Sequence, residues 1–170
     1  MMRTLPAALL LVLLPLATGA GEDAFTKGPV LSEYGPNADV EVTYMIPPGS
    51  VFRHSFDVSK PAEQDKANRG LQSLARFINM HARAGVETDD LYLAAVIHGK
   101  AVKDVSTKKT PTAGLIAELL KHNVRIIVCG QSAAYYDVAT ADLLPGVEMA
   151  LSAMTAHALL QQQGYTLNPF

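Results

Sequence analysis

The chain has no tryptophan and few aromatics of any kind, 6 % in all, which disfavours a carbohydrate-stacking surface. It has no basic run longer than Lys108-Lys109 and a formal charge of −2, so neither nucleic acid nor an anionic membrane is an expected partner. Neither GxGxxG nor GxxxxGKS/T occurs, which leaves nucleotide binding without a motif. No two histidines stand at H-x-x-x-H spacing and no C-x-x-C occurs, so a dedicated zinc or copper site is not expected, nor is any cofactor. There is a single cysteine, Cys129, so no disulfide can close within the chain. No apolar run reaches the roughly 20 residues that a membrane-spanning helix needs.

What is present begins with Met1-Met2-Arg3, an apolar stretch over residues 5–16 that carries Pro6 and Pro15, and then Ala17-Thr-Gly-Ala20. A basic start, an apolar centre and small residues are the order of a secretory signal peptide, with cleavage expected near Ala20. Cysteine does not follow the cut, so a bacterial lipid anchor is not expected, and after cleavage no membrane association is. Three segments result: a signal peptide over 1–20, an N-terminal arm over 21–50, and one domain over 51–170. In an exported protein a free thiol is either a reactive group or an intermolecular partner.

The arm is punctuated by Gly28-Pro29, Gly35-Pro36 and Pro47-Pro48-Gly49. Residues 40–46 alternate apolar and polar, which predicts an edge strand. The remainder reads as an extended arm that needs a neighbour, such as another subunit, to be ordered. Residues 51–58 read as the first core strand, followed by Ser59 as N-cap and Pro61 in the first turn of a helix. That helix shows its apolar stripe at Ala67, Leu71, Leu74, Ala75, Ile78 and Ala82, and Gly85 ends it. Residues 91–98 are nearly all apolar, the mark of a strand covered on both faces. Thr110-Pro111 opens a second helix with Leu115, Ile116, Leu119 and Leu120 as its stripe. Residues 124–129 form a β-branched strand, 147–151 another, and 165–167 a last short one; between these two Ser152 caps a small-residue helix that Gly164 ends. Strands alternating with helices predict an α/β domain: a flavodoxin-like parallel five-stranded sheet with helices on both faces, in the order 2-1-3-4-5.

In open parallel sheets ligands bind beyond the carboxyl ends of the strands. Those ends here present Asp57 and Ser59, then His98-Gly99-Lys100, then Cys129-Gly130-Gln131-Ser132, then Ser152 and Thr155. Cys129 leaves its strand facing a helix start, where unpaired N–H groups favour the thiolate; the plain alternative is a small buried hydrophobe. Gly130 allows the tight turn, and Ser132 is placed to cap the segment 133–138. His98 suits a general acid or base, a metal ligand or an anion contact, and equally a core histidine bonded to a carbonyl. In the 2-1-3 order the strands of His98 and Cys129 lie about 10 Å apart, two spacings, so no direct contact between them is expected. Lys100 and Lys103 are solvated loop charges, or attract sulfite or thiosulfate if a thiolate is near. His157 reads as packing or a subunit contact, His54, His81 and His122 as surface or helix-end residues, and Met45, Met80, Met149 and Met154 as core.

Several stretches together resemble the DsrE/DsrF-like (YchN-like) family, in its exported branch: residues 124–132 with Cys129-Gly-Gln-Ser132, Leu143-Leu-Pro-Gly-Val147, Leu151-Ser-Ala-Met-Thr155, Leu160-Gln-Gln-Gln-Gly-Tyr165 and His98-Gly99. The similarity covers roughly residue 28 to the C-terminus. It implies the flavodoxin-like sheet, a homo-oligomer (trimer or hexamer) and, as in some members, a cysteine at the position of Cys129 that carries sulfur as a persulfide; the leader-like start makes the expected location periplasmic. Thr110-Pro111 stands where the family often has Asn-Pro, and Tyr136-Asp137 where it often has Arg-Gly. Cys129 and His98 are then the expected catalytic residues. Gly130, Gln131, Ser132, Lys100 and Asp57 are the expected substrate-binding residues, and a sulfur donor or acceptor protein is the partner. The alternatives are a non-catalytic oligomeric binding module for a small ligand or metal, and an assembly protein with Cys129 buried.

Overall fold

The computed structural model describes residues 21–106 and 110–168; the expected signal peptide lies outside them. In chain order the elements are β1 (Phe25–Thr26), β2 (Asn37–Ala38), β3 (Phe52–Val58), α1 (Arg69–Arg83), β4 (Leu91–Ile97), α2 (Ala113–Lys121), β5 (Arg125–Cys129), α3 (Gly130–Tyr135), β6 (Val147–Ala150), α4 (Ala153–Gln162) and β7 (Thr166–Asn168). β1 and β2 pair antiparallel; the other five strands form one parallel sheet. The flavodoxin-like α/β architecture is therefore the one found. Among the described residues no helix is long and apolar enough to cross a membrane.

The order across the sheet is β6-β5-β4-β3-β7, not 2-1-3-4-5. From β3 to β6 every step moves the same way, and right-handed crossovers then put α1, α2 and α3 on one face. The last step returns across the sheet to the far edge, which places α4 alone on the other face. Strand periodicity divides the side chains accordingly. Phe56, Val58, Leu93, Ala95, Ile97, Ile126 and Val128 join Leu71, Leu74, Ile78, Leu115, Ile116 and Leu119 in the large core. Ala94, Val96 and Ile127 meet Ala156 and Leu160 of α4 in a small one.

Both expected glycine stops form. Gly85 and Gly164 hold φ of +84° each, and Val86 N–H and Tyr165 N–H reach back to the His81 and Leu160 carbonyls at 3.0 Å. This paired reverse bond closes a helix end that only a left-handed residue can complete.

Helix starts differ from expectation. α1 begins at Asn68, whose side chain accepts from Gly70 and Leu71 N–H, so Ser59 and Pro61 belong to a connecting loop. Asn68 also donates to Asp104 at 2.7 Å, a partner remote in sequence that the local Ser-x-Pro pattern does not reveal. α2 starts at Ala113, and Thr112 Oγ1 accepts from Asn68 N–H at 3.0 Å, tying the two helix heads together.

The arm is held by its own chain. Asn79 of α1 accepts from Val30 and Leu31 N–H and donates to the Leu31, Tyr34 and Gly35 carbonyls. Gln72 accepts from Gly35 N–H, Arg76 donates to Pro36 O, and Arg83 donates to Asn37 O and Lys27 O. A single buried amide thus satisfies five backbone groups, which removes the need for an outside neighbour to order residues 30–38. The edge strand expected over 40–46 does not form; Val40, Val42, Tyr44 and Met45 are exposed instead. Alternation marks a two-faced segment, but pairing needs a free strand edge within reach, and β1–β2 lies elsewhere. Met45, Met80 and Met154 are exposed, not core. His81 is buried, and it stacks on Phe77 at 3.9 Å while Phe77 stacks on His54 at 5.5 Å. Burial holds both imidazoles below their ordinary pKa, against a raising bond to the Phe77 carbonyl for His81 and to Thr166 for His54.

Candidate functional site

Three neighbouring strands bring their carboxyl ends to the α4 face. Ile127 and Val96 lie in the small core, and two residues on, Cys129 and His98 share their face. Ile97 and Val128 are paired in register, so His98 and Cys129 follow on adjacent strands about 4.8 Å apart, one spacing and not two. The expectation that these strands flank another is thereby corrected. Its cause is the strand order, which a right-handed crossover rule alone leaves open.

Cys129 is itself the N-cap of α3, a role expected of Ser132. Its Sγ accepts from Ser132 N–H at 3.5 Å. Burial is the largest influence on the thiol and raises its pKa. Hydrogen bonds from the Ser132 side chain and from the backbones of Ser132, Ala153 and Gln131 together outweigh it, so the net displacement is downward. The sulfur therefore sits at the head of α3, with the backbone of Ala153, which opens α4, among the groups that lower its pKa. Cys129 remains 6 % exposed.

Ser132 does two jobs. Its Oγ accepts from Gly99 N–H at 2.9 Å, which ties the turn after β4 to the cysteine loop. Its hydroxyl also stabilises the sulfur anion. Gly130 contributes space: a Cβ there would lie 2.6 Å from the Ala150 carbonyl oxygen, so only glycine lets α3 begin against β6. Gln131 turns its amide to the Leu151 carbonyl at 3.2 Å, and its backbone to the sulfur. Lys100 is exposed in the 3-10 turn over Gly99–Val105, and Lys103 of the same turn lies over the Tyr136 ring at 5.2 Å.

Asp57 is the hub of a second group. Its Oδ2 accepts from His98 Nε2 and its Oδ1 from His157 Nε2, each at 2.9 Å. Burial acts to raise this carboxyl's pKa, but the hydrogen bonds and charges of His98 and then His157 prevail and lower it. His157 is therefore not a packing residue. Its partner lies 100 positions away, and the one sequence signal was a histidine interrupting an otherwise small-residue helix. Among the described residues no group of three or more His, Cys, Asp or Glu is placed to hold a metal. A cleft of about 460 Å³ lies nearby, lined by Glu63, Asp65, Asp104, Tyr136, Asp137 and Asp142 among others, and includes neither Cys129 nor the Asp57 group.

A parallel sheet in which the strand beside the central one ends in a thiol that caps the following helix defines an α/β protein with a strand-end cysteine site. The DsrE/DsrF-like family model matches residues 55–169, from the first core strand through the last, and the chain belongs to that family. No curated protein matches it. Among solved structures it is similar to the ychN protein from E. coli, with 14 % identity and a TM-score of 0.55 over 69 % of this chain and 100 % of that one. It is also similar to MTH1491 from Methanobacterium thermoautotrophicum, a protein of unknown function, with 18 % identity and a TM-score of 0.53 over 69 % and 97 %. At such identities these two structures speak for the fold. The family, which is linked to sulfur relay, connects the chain to that chemistry.

Proposed function

We propose that the protein is an exported sulfur carrier that holds a persulfide on Cys129. The observation that carries this reading is the placement of Sγ as the cap of α3, accepting from Ser132 N–H at 3.5 Å, where hydrogen bonding holds its pKa below the ordinary value despite burial. A thiolate is the nucleophile toward sulfane sulfur, and the same donors suit the anion of Cys–S–S⁻. The small residual exposure favours a slender terminal sulfur over a bulky donor group. Export to the periplasm is supported by the leader-like order of residues 1–20. A homo-oligomer, a trimer or hexamer by the family resemblance, is supported by the apolar side chains of Leu151, Met154, Leu159 and Tyr135 that are left exposed.

The deciding experiment is intact-mass analysis after incubation with thiosulfate, polysulfide or cysteine persulfide. Wild type is expected to gain one sulfur that dithiothreitol removes, and Cys129→Ser none. No gain on wild type, or an equal gain on the variant, removes the proposal.

A further inference from the structure

The carrier reading uses Cys129 and its donors but leaves Asp57, His98 and His157 without a task. Their hydrogen bonds are informative about protons. A carboxylate only accepts, so both Nε2 atoms bonded to Asp57 carry hydrogen. In a neutral ring the lone pair then lies on Nδ1. His157 Nδ1 is sealed from solvent and has no partner among the described residues, in a side chain only 14 % exposed. A proton placed there would be a buried donor with no acceptor among the described residues. His157 is thus a fixed donor to Asp57. His98 differs: its side chain is 32 % exposed, and its Nδ1 is the nitrogen of this group free to exchange a proton.

Resting on the sulfur-carrier reading, we infer that Asp57, anchored by His157, fixes the tautomer of His98 so that His98 Nδ1 is the acid–base group of the Cys129 site, serving persulfide donors. His98 is catalytic in this scheme, and Asp57 and His157 are positioning residues. The register places His98 beside Cys129 on the adjacent strand, and Gly99 N–H bonded to Ser132 Oγ holds the two loops together. The charged and titratable groups around His98 are Asp57 on β3, His157 on α4, Cys129 on β5 and Lys100 on its own turn.

The step balances without an oxidant. The Cys129 thiol, bonded to Ser132 N–H and not directly to His98, gives its proton by way of water to His98 Nδ1, leaving thiolate and imidazolium. The thiolate attacks the outer sulfur of R–S–SH; the new S–S bond forms as the donor's S–S bond breaks, and the electron pair departs on R–S⁻. That thiolate takes the proton from His98 and leaves as R–SH. The Cys129 persulfide, more acidic than a thiol, then returns a proton to His98 and is stored as the anion.

The test is the rate of sulfur gain from cysteine persulfide, read by quenched intact mass from pH 5 to 9. In Asp57→Asn the amide nitrogen donates to one ring, forcing the wrong tautomer, and the rate at neutral pH is expected to fall about 100-fold with an altered pH profile and the same final mass. His157→Leu is expected to lose about tenfold and His157→Gln, which keeps a donor, to recover most of it. Wild-type rates and pH profiles in Asp57→Asn and His157→Leu would overturn the inference while leaving the carrier intact; no sulfur on wild type would instead sink the carrier reading. Should Asp57→Asn not fold, His98→Gln is read for the same loss, and an unchanged rate there is equally fatal.

Discussion

The two faces of the sheet are built to different standards. The face under α1, α2 and α3 is a continuous hydrocarbon layer in which Leu71, Leu74, Leu93, Leu115 and Leu119 have no exposure at all. The α4 face has five buried apolar residues, and around them Cys129, Asp57, His98 and the Arg125–Glu148 pair. The unequal crossover count explains this: three helices cover one side and one covers the other. Polar groups occupy the thin side because a thiol, a carboxylate and two imidazoles need partners and some water, which a closed hydrocarbon layer denies them. The larger hydrocarbon core lies on one face and these polar groups on the other.

The largest test of that division is a matched truncation. Leu74→Ala in the thick core is expected to cost about 3–4 kcal/mol and lower the melting temperature by roughly 10 °C, and Leu160→Ala under α4 only about 2 kcal/mol, because a thin layer collapses more readily around a cavity. Equal losses in urea titration would mean that the faces differ in composition but not in energy.

Acid should separate the faces next. His54 and His81, on the thick side, have pKa values below the ordinary 6.5, so the unfolded chain takes up protons that the native state refuses. Their contribution is complete above pH 6.5 and is lost as pH falls through the lower native values. Asp57, on the thin side, is lowered from 3.8, so its contribution is complete above that value and disappears at lower pH. Urea midpoints measured from pH 8 to 3 are expected to fall in two stages, with His81→Phe flattening the first and Asp57→Asn the second. A single stage unaffected by His81→Phe would break the assignment.

The smallest effect belongs to Glu148→Gln. Its carboxylate meets Arg125 in a two-point pair at 2.9 and 3.0 Å on the thin face, yet both side chains are substantially exposed. The expected loss is below about 1 kcal/mol. A drop by calorimetry larger than that of Leu160→Ala would show that this face relies on its polar pairs more than on Leu160.

Much of this was visible along the chain, and what was missed has a common cause. All five core strands were legible within a residue or two, because β-branched runs such as 124–128 have no stable use except inside a sheet. Gly85, Ser152 and Gly164 announced their helix ends because the required bonds are local. Cys129 was legible as a strand-end thiol, but not as the cap of its own helix. The bond of Asn68 to Asp104, Asn79 as the clasp of the arm and His157 as a partner of Asp57 were not legible, since each depends on a group 36 to 100 positions away.

By itself, then, the sequence determined the alternating strands and helices, the covered sheet and the position of its one thiol at a strand end, all consequences of local periodicity and turn chemistry. The tertiary structure decided which strands are neighbours, that one face is left thin, and that Asp57, His98 and His157 meet beside the strand that carries Cys129. Strand order is invisible to periodicity because a parallel strand has the same pattern wherever it is inserted in the sheet, and only long-range packing selects among those positions.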